Sequence, residues 1–284
     1  IVQTEAAGRD KSCFDALVTL CDALALPVYE NNQGKGANFP KNNKMHQGFS
    51  IEPHLDTADV ALVVRSRSPW YPPSAGPHNA QVIAIDEAPL DDTMVYQSLQ
   101  ATSYLEGDVA TTLTLLLEAV QRIGVDEAKI AERRARFEAA HDERQAGLAA
   151  TLEKVSSDDV IHPAYLASRL GAVLPDDTCF VDETTTHRIT LQNFLPWDDV
   201  FKYVKVPTGL GQGLGVTLGV KLGMRDRMVV SVIGDGGFLY NPIPQSLGVA
   251  RDEDLPIMIV IFNNGEYRAM KNNQLAYYPD GVGK

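Results

Sequence analysis

The chain is poor in cysteine, in long apolar runs and in basic charge. Its 284 residues hold three cysteines, Cys13, Cys21 and Cys179, too few and too irregularly spaced for a disulfide framework or a cysteine metal site. They read as buried thiols of a cytoplasmic protein. Cys13 and Cys21 fall on one predicted helix, too far apart along it to be bridged. The longest apolar run, Pro256 to Phe262, is far below the ~18–20 residues of a membrane-spanning helix. No targeting segment is evident. Lys and Arg number 25 against 37 Asp and Glu, a net charge of −12. That balance lacks the basic face that duplex nucleic acid or an anionic membrane requires. It still permits a phosphate ligand held locally by backbone and metal. Hydrophobic residues at 44% and charged residues at 22% exclude a disordered chain. No internal repeat or low-complexity tract is present.

Several motifs are also missing. Gly209, Gly211, Gly213 and Gly215 do not satisfy Gly-x-Gly-x-x-Gly in any frame, and Gly34-Lys35 lacks the rest of a P-loop. A dehydrogenase or P-loop enzyme is disfavoured. There is no helix with paired metal-ligand histidines and no Gly-x-Ser-x-Gly elbow.

What is present alternates strands with helices. Ile1 to Thr4 reads as a strand stub, and Asp10 or Ser12 as the cap of a helix with apolar Phe14, Leu17, Val18, Cys21 and Leu24 at the 3.6-residue period. Val28-Tyr29 begins a short strand. Val60–Val64 and Val82–Ile85 are continuous apolar runs, as buried parallel strands require, and Val109–Val120 is helical in pattern. Residues 126–157 are Ala-, Glu- and Arg-rich, with Glu132 four before Arg136; they are expected to form a solvated connecting helix. The rhythm resumes with a helix after His162-Pro163, a strand Cys179–Val181, a Gly-rich helix, a strand Met228–Ile233, a helix Pro242–Ala250 and a strand Ile257–Phe262. The expected fold is therefore α/β: two Rossmann-like domains with parallel sheets flanked by helices, spanning residues 1–125 and 158–284 and joined by the helical linker. At about 150 residues per domain, the length agrees.

The sharpest chemical feature is Gly234-Asp235-Gly236-Gly237, directly after a buried strand. A helix is expected beyond it, with Asn241 as cap and Pro242 in its first turn. Glycines at a strand's carboxyl end let backbone approach a ligand, and a helix N-terminus favours an anion. The Asp235 carboxylate would repel a bare phosphate, a conflict that a divalent cation between them resolves. The following strand ends in Asn263-Asn264-Gly265-Glu266, so a second amide oxygen arrives 29 positions after Asp235. Asp235, Asn264 and the Glu266 carbonyl form a hard-oxygen set suited, with diphosphate oxygens, to octahedral Mg²⁺. Ligand sites in open α/β sheets lie at this carboxyl edge.

This pairing of Gly-Asp-Gly with a downstream Asn-Asn resembles the signature of the thiamine diphosphate (ThDP)-dependent enzyme superfamily, in its acetolactate synthase and benzoylformate decarboxylase-like branches. Thr208-Gly209-Leu210-Gly211-Gln212-Gly213-Leu214-Gly215 resembles the family's Gly-rich segment. The resemblance implies that the Thr208 carbonyl meets the aminopyrimidine, and that Gly209 and Leu210 lie beside the cofactor, Leu210 as the wedge that keeps it bent. Gly211, Gly215, Gly219 and Gly223 recur every four residues and also suit close helix packing. Glu183-Thr184-Thr185-Thr186-His187 fits the hydroxyl-rich strand end that touches the diphosphate, best at Thr185 and Thr186. His187 is a candidate acid–base group. Tyr267 joins the cofactor contacts; Tyr240, Met270 and Trp70 are candidates for the substrate wall.

Residues 1–125 resemble the family's middle domain through Ala7-Gly8-Arg9, Asn38-Phe39-Pro40, Asp59-Val60-Ala61-Leu62 and Ile85-Asp86. Some relatives bind FAD or ADP there; this sequence shows no clear fingerprint for either. Residues 158–284 resemble the front of the diphosphate-binding domain. The family's pyrimidine-binding domain, whose glutamate activates the cofactor, has no counterpart here, and the diphosphate domain reads as truncated. The resemblance thus implies a central fragment of a cytoplasmic ThDP- and Mg²⁺-dependent enzyme, inactive by itself. Its pyrimidine domain would come from the rest of the polypeptide or from another subunit of a homodimer or homotetramer. Its substrate would be a small 2-oxo acid that loses CO₂. Asn263-Asn264-Gly265-Glu266-Tyr267 is closer to the benzoylformate decarboxylase form than to the Asn-Asn-Gln-His of acetolactate synthases. A carboligase of acetolactate synthase type is the alternative activity. A non-catalytic ThDP-binding or oligomerisation module is the alternative of another class.

Overall fold

The computed structural model describes residues 1–90, 99–157, 159–206 and 209–281. They form two compact units. The first comprises residues 1–157 with 196–200, and the second takes in the remainder from 158 onward.

In the first unit, β1 (Val2–Thr4), β2 (Val28–Glu30), β3 (Val60–Val64), β4 (Gln81–Asp86) and β5 (Ser103–Glu106) form a sheet in the order β2-β1-β3-β4-β5. Every neighbouring pair is parallel. Parallel strands covered on both faces need apolar residues at successive positions, and β3 buries Ala61 to Val64 in turn. Helix α1 (Lys11–Leu24) starts where the Asp10 side chain accepts from the Cys13 amide at 2.8 Å. It buries Phe14, Leu17, Leu20 and Cys21. Helix α2 (Val109–Ile123) is capped in the same way by Asp108. All three thiols are free and buried; burial raises Cys13 and Cys179 to about 12, which leaves them unreactive.

Helix α3 (Glu127–Val155) departs from the expected solvated linker. It packs on the first unit, burying Ile130, Phe137 and His141. Arg133 Nε donates to the Leu24 and Ala25 carbonyls at 3.1 Å, and the Arg134 guanidinium donates to the Asp22 carbonyl. These arginines satisfy the orphan carbonyls at the end of α1. Three widely spaced buried positions are too few to show in a composition dominated by Arg, Glu and Ala. Residues 196–200 also fold with the first unit, where Trp197 is buried and its carbonyl accepts from the Lys41 amide at 2.9 Å.

The second unit opens with α4 (Pro163–Val173) and continues through β6 (Cys179–Glu183), α5 (Arg188–Phe194), β7 (Tyr203–Lys205), α6 (Gly213–Gly223), β8 (Val229–Gly234), α7 (Asp235–Tyr240), α8 (Ile243–Asp252), β9 (Met258–Phe262) and α9 (Arg268–Tyr277). Its sheet is parallel in the order β7-β6-β8-β9. The chain goes from β6 outward to β7, then returns through α6 to β8 on the other side of β6. This reversal puts a topological switch point between β6 and β8, where such sheets open a crevice at their carboxyl edge. Two local expectations change here. Helix α7 begins at Asp235 itself, so Gly236 and Gly237 are helical. Asn241 does not cap α8, whose N-cap is Pro242; its side chain points back into the unit, where it is buried.

Candidate cofactor site

Strand register sets the site. Glu183 of β6 lies opposite Ile233 of β8, and Gly234 of β8 opposite Phe262 of β9. The segments following these three strands therefore emerge side by side. They line a cavity of about 310 Å³ in the second unit.

From β6 come Thr184, Thr185, Thr186 and His187; from β8 and α7 come Gly234, Asp235, Gly236 and Gly237; from beyond β9 come Asn264, Glu266, Tyr267 and Met270. Gly209 and Leu210 line it from the loop before α6. Thr208 lies outside the described residues. Two proposed wall residues are not at the cavity. Tyr240 is exposed and does not line it. Trp70 belongs to the first unit, where it is buried with Tyr29, Ile51 and Val63.

Asp235 and the β9 loop meet directly. The Gly265 amide donates to Asp235 Oδ2 at 3.2 Å and to Asn263 Oδ1 at 3.0 Å. Gly265 has φ +69, the left-handed conformation that turns this loop. Asn264 Oδ1 accepts from the Glu266 amide at 3.1 Å and keeps a second lone pair. The Glu266 carboxylate pairs with Arg268 and, at 3.8 Å, with Lys271. Among the described residues, no three His, Cys, Asp or Glu side chains converge as a metal-binding group. A cation held here would meet one carboxylate, an amide oxygen and backbone, with the remaining positions open to ligand oxygens.

The walls combine apolar side chains with glycine backbone. Gly234 has nothing within 4 Å of where a Cβ would stand, whereas a Cβ on Gly236 would fall 2.9 Å from the Tyr267 ring. Leu210, Phe262, Tyr267 and Met270 supply apolar surface. The His187 ring lies 5.7 Å from that of Phe262. Burial, reinforced by Arg268 and His162, pushes its pKa down against the opposing pull of Asp235, which favours the neutral imidazole.

Sequence reasoning missed the charged residues around this cavity. Arg188, Lys205 and Arg268 line it together with Asp182 and Glu183. Lys205 pairs in register with Asp182 across β7 and β6. Asp182 accepts from the Thr184 amide, the Thr184 hydroxyl and the Tyr203 hydroxyl, each at 2.7 Å. Burial outweighs these bonds and raises its pKa. Its position at the end of an apolar strand was the available signal. Glu183, quoted only as part of its string, accepts from the Gln212 amide and from Asn241.

The geometry defines a parallel α/β domain with a cavity at its switch point. Residues 183–282 match the family described as thiamine pyrophosphate enzyme, C-terminal TPP binding domain. That match takes in the Gly-Asp-Gly and Asn-Asn segments, whose resemblance implied the same family. Two solved structures share the fold of the chain. One is described as a thiamin diphosphate-dependent enzyme from Mycobacterium smegmatis, with TM-score 0.69 and 22% identity over 94% of this chain and 50% of that one. The other is the ThDP-dependent 4-hydroxybenzoylformate decarboxylase of Rhodococcus jostii RHA1, with TM-score 0.72 and 20% identity over 99% of this chain and 51% of that one. The chain spans about half the length of each. No curated protein matches it. Among the described residues, no helix is long and apolar enough to cross a membrane.

Proposed function

We propose that the chain is the middle and diphosphate-binding part of a ThDP- and Mg²⁺-dependent decarboxylase of a 2-oxo acid. The carrying observation is the juxtaposition of Asp235 with the Asn263–Gly265 loop at 3.2 Å across the ends of β8 and β9. These oxygens accommodate a hard divalent cation, which in turn neutralises a diphosphate beside the Asp235 carboxylate. Asp235, Asn264 and the Glu266 carbonyl hold the Mg²⁺. Thr185 and Thr186 donate to the diphosphate, while Gly209 and Leu210 support the thiazolium side. Bound ThDP supplies a carbon nucleophile that accepts the electrons released with CO₂. The chain's own share is orientation: Leu210, Phe262, Tyr267 and Met270 offer the ligand apolar surface, and His187 is placed to hold or pass a proton.

The apolar wall and the Asn-Asn-Gly-Glu-Tyr segment support a decarboxylase of the benzoylformate type, and the Rhodococcus neighbour adds a relative acting on an aromatic 2-oxo acid. The pyrimidine-binding half would be supplied by another domain or subunit. Gly215, Gly219 and Gly223 have nothing within 4 Å of where a Cβ would stand, which leaves one face of α6 open for such a neighbour. Buried free thiols suit a cytoplasmic location.

Asp235→Ala removes the one anionic metal ligand, and calorimetry is expected to show no Mg²⁺-dependent ThDP binding by the variant. Unchanged affinity would place the metal elsewhere. Products from pyruvate and benzoylformate, with ThDP and Mg²⁺ in the full-length protein, test the reaction. Benzaldehyde from benzoylformate is expected; acetolactate as the dominant product would move the assignment to the carboligases.

A further inference from the structure

Beneath the cavity, a carboxylate and an amide interlock. Glu183 and Asn241 are each only 6% exposed. Glu183 Oε1 accepts from the Gln212 amide at 2.8 Å, and Glu183 Oε2 accepts from Asn241 Nδ2 at 2.8 Å. The same Asn241 nitrogen donates to the Gly237 carbonyl at 2.8 Å, and Asn241 Oδ1 accepts from the Leu214 amide at 3.0 Å. Two orphan amides at the start of α6 are thereby satisfied, one by each side chain. The carboxylate is also seated against the first residue of α6, since a Cβ on Gly213 would fall 2.5 Å from Glu183 Oε2.

Three separate elements converge on this pair. Glu183 ends β6, just before the Thr185-Thr186 loop. Gln212 ends the Gly209–Leu210 loop. Asn241 follows α7, the helix that begins with Asp235. We propose that Glu183 is a positioning residue, which through Asn241 locks the Thr loop, the Gly-rich loop and the Asp235 helix into one cofactor-binding frame. The proposal rests on the ThDP reading. Glu183 borders the cavity, but its carboxylate oxygens are taken up by the Gln212 amide and Asn241; it fixes the separation of the segments that hold the cofactor. Its charge matters because a carboxylate is acceptor-only and forces the Asn241 amide to present its NH₂ inward and its oxygen to Leu214.

A charge exchange tests this. In Glu183→Gln, two amide NH₂ groups compete, and either the Asn241 or the Leu214 contact is lost. In Asn241→Asp, two buried carboxylates face each other and the Gly237 carbonyl loses its donor; the pair holds together only by taking up a proton. In the double variant, Glu183→Gln with Asn241→Asp, the carboxylate has moved to position 241. The amide introduced at position 183 donates to one of its oxygens, and the other oxygen accepts from Leu214. Only the Gly237 carbonyl loses its donor. The measurements, made in the full-length protein, are ThDP affinity with Mg²⁺ by calorimetry and hydrogen exchange at the Gln212 and Leu214 amides. Each single variant is expected to weaken ThDP binding about tenfold or more, the effect of one charge-assisted hydrogen bond, and to accelerate exchange at those amides. The double variant is expected to recover most of both, including when the single variants fold too poorly to measure. Single variants that bind and exchange like wild type overturn the proposal, as does a double variant no better than the worse single. Wild-type protein that binds no ThDP overturns the underlying functional reading, a result told apart by its independence of any substitution.

Discussion

Gly211 and Gly219 share one four-residue spacing in the sequence but have opposite roles in the structure. Gly211 has φ +87, and a Cβ there would fall 2.5 Å from the Tyr240 carbonyl oxygen. Gly219 sits inside α6 with nothing within 4 Å. Gly211→Ala must therefore displace either the Gly-rich loop or the end of α7. A loss of about 1–3 kcal/mol in denaturant unfolding is expected, together with weaker ThDP binding. Gly219→Ala gains helix propensity and restricts the unfolded chain. It is expected to stabilise the isolated unit by roughly 0.5–1 kcal/mol. If α6 packs closely against a second domain or subunit, that substitution also weakens the association, seen as a lower oligomer mass at equal concentration. The sequence marked both glycines by the same periodicity; φ and the approach of Tyr240 arise from chain reversal at α7, which periodicity does not encode.

At the scale of elements, α3 shows how packing hides in a charged sequence. His141 Nδ1 hydrogen-bonds the His46 carbonyl at 2.9 Å, and the Arg144 guanidinium lies 3.0 Å from His46 Nδ1. On its other side, His46 Nε2 lies 3.0 Å from Glu30 Oε1 at the end of β2. Burial pushes the His46 pKa from 6.5 to about 4, with Arg144 and Lys41 acting in the same direction and Glu30 opposing. Because the folded-state value is depressed, the stability it confers is present above pH ~6.5 and is lost as pH falls toward about 4. The difference is on the order of 3 kcal/mol. His54 and His141 are also lowered, chiefly by burial, and add the same sign. The thermal midpoint of the first unit is expected to fall through this window, and His46→Gln to flatten the fall. A profile level from pH ~7 to ~4 would mean that His46 titrates normally. The strands with apolar runs, β3, β4, β8 and β9, were legible; in β3 and β8 burial along the strand demands such runs, whereas edge strand β9 leaves much of its run open. Strand β5, with every position exposed at the sheet edge, and the three-residue β7 carry no comparable signal.

At the scale of the whole molecule, the two halves of the ThDP signature were legible because each is local and follows a strong strand. The Glu183–Asn241 pair was not, since its partners lie 58 residues apart and neither residue type alone announces the other. The same scale bears on the net charge of −12. Its field opposes an approaching diphosphate at long range, and around the cavity Asp182, Glu183, Asp235 and Glu266 add to that opposition against Arg188, Lys205 and Arg268. A site of this sign binds the ligand through a bridging cation instead of a basic patch. Without Mg²⁺, ThDP is expected to bind weakly and to bind better as salt screens the repulsion. With Mg²⁺, affinity should rise steeply and depend little on salt, because the cation neutralises most of the diphosphate charge. Titrations with and without chelator at low and high ionic strength separate these terms. Tight metal-free binding that weakens with salt would mean that the three basic side chains, and not a cation at Asp235 and Asn264, hold the diphosphate.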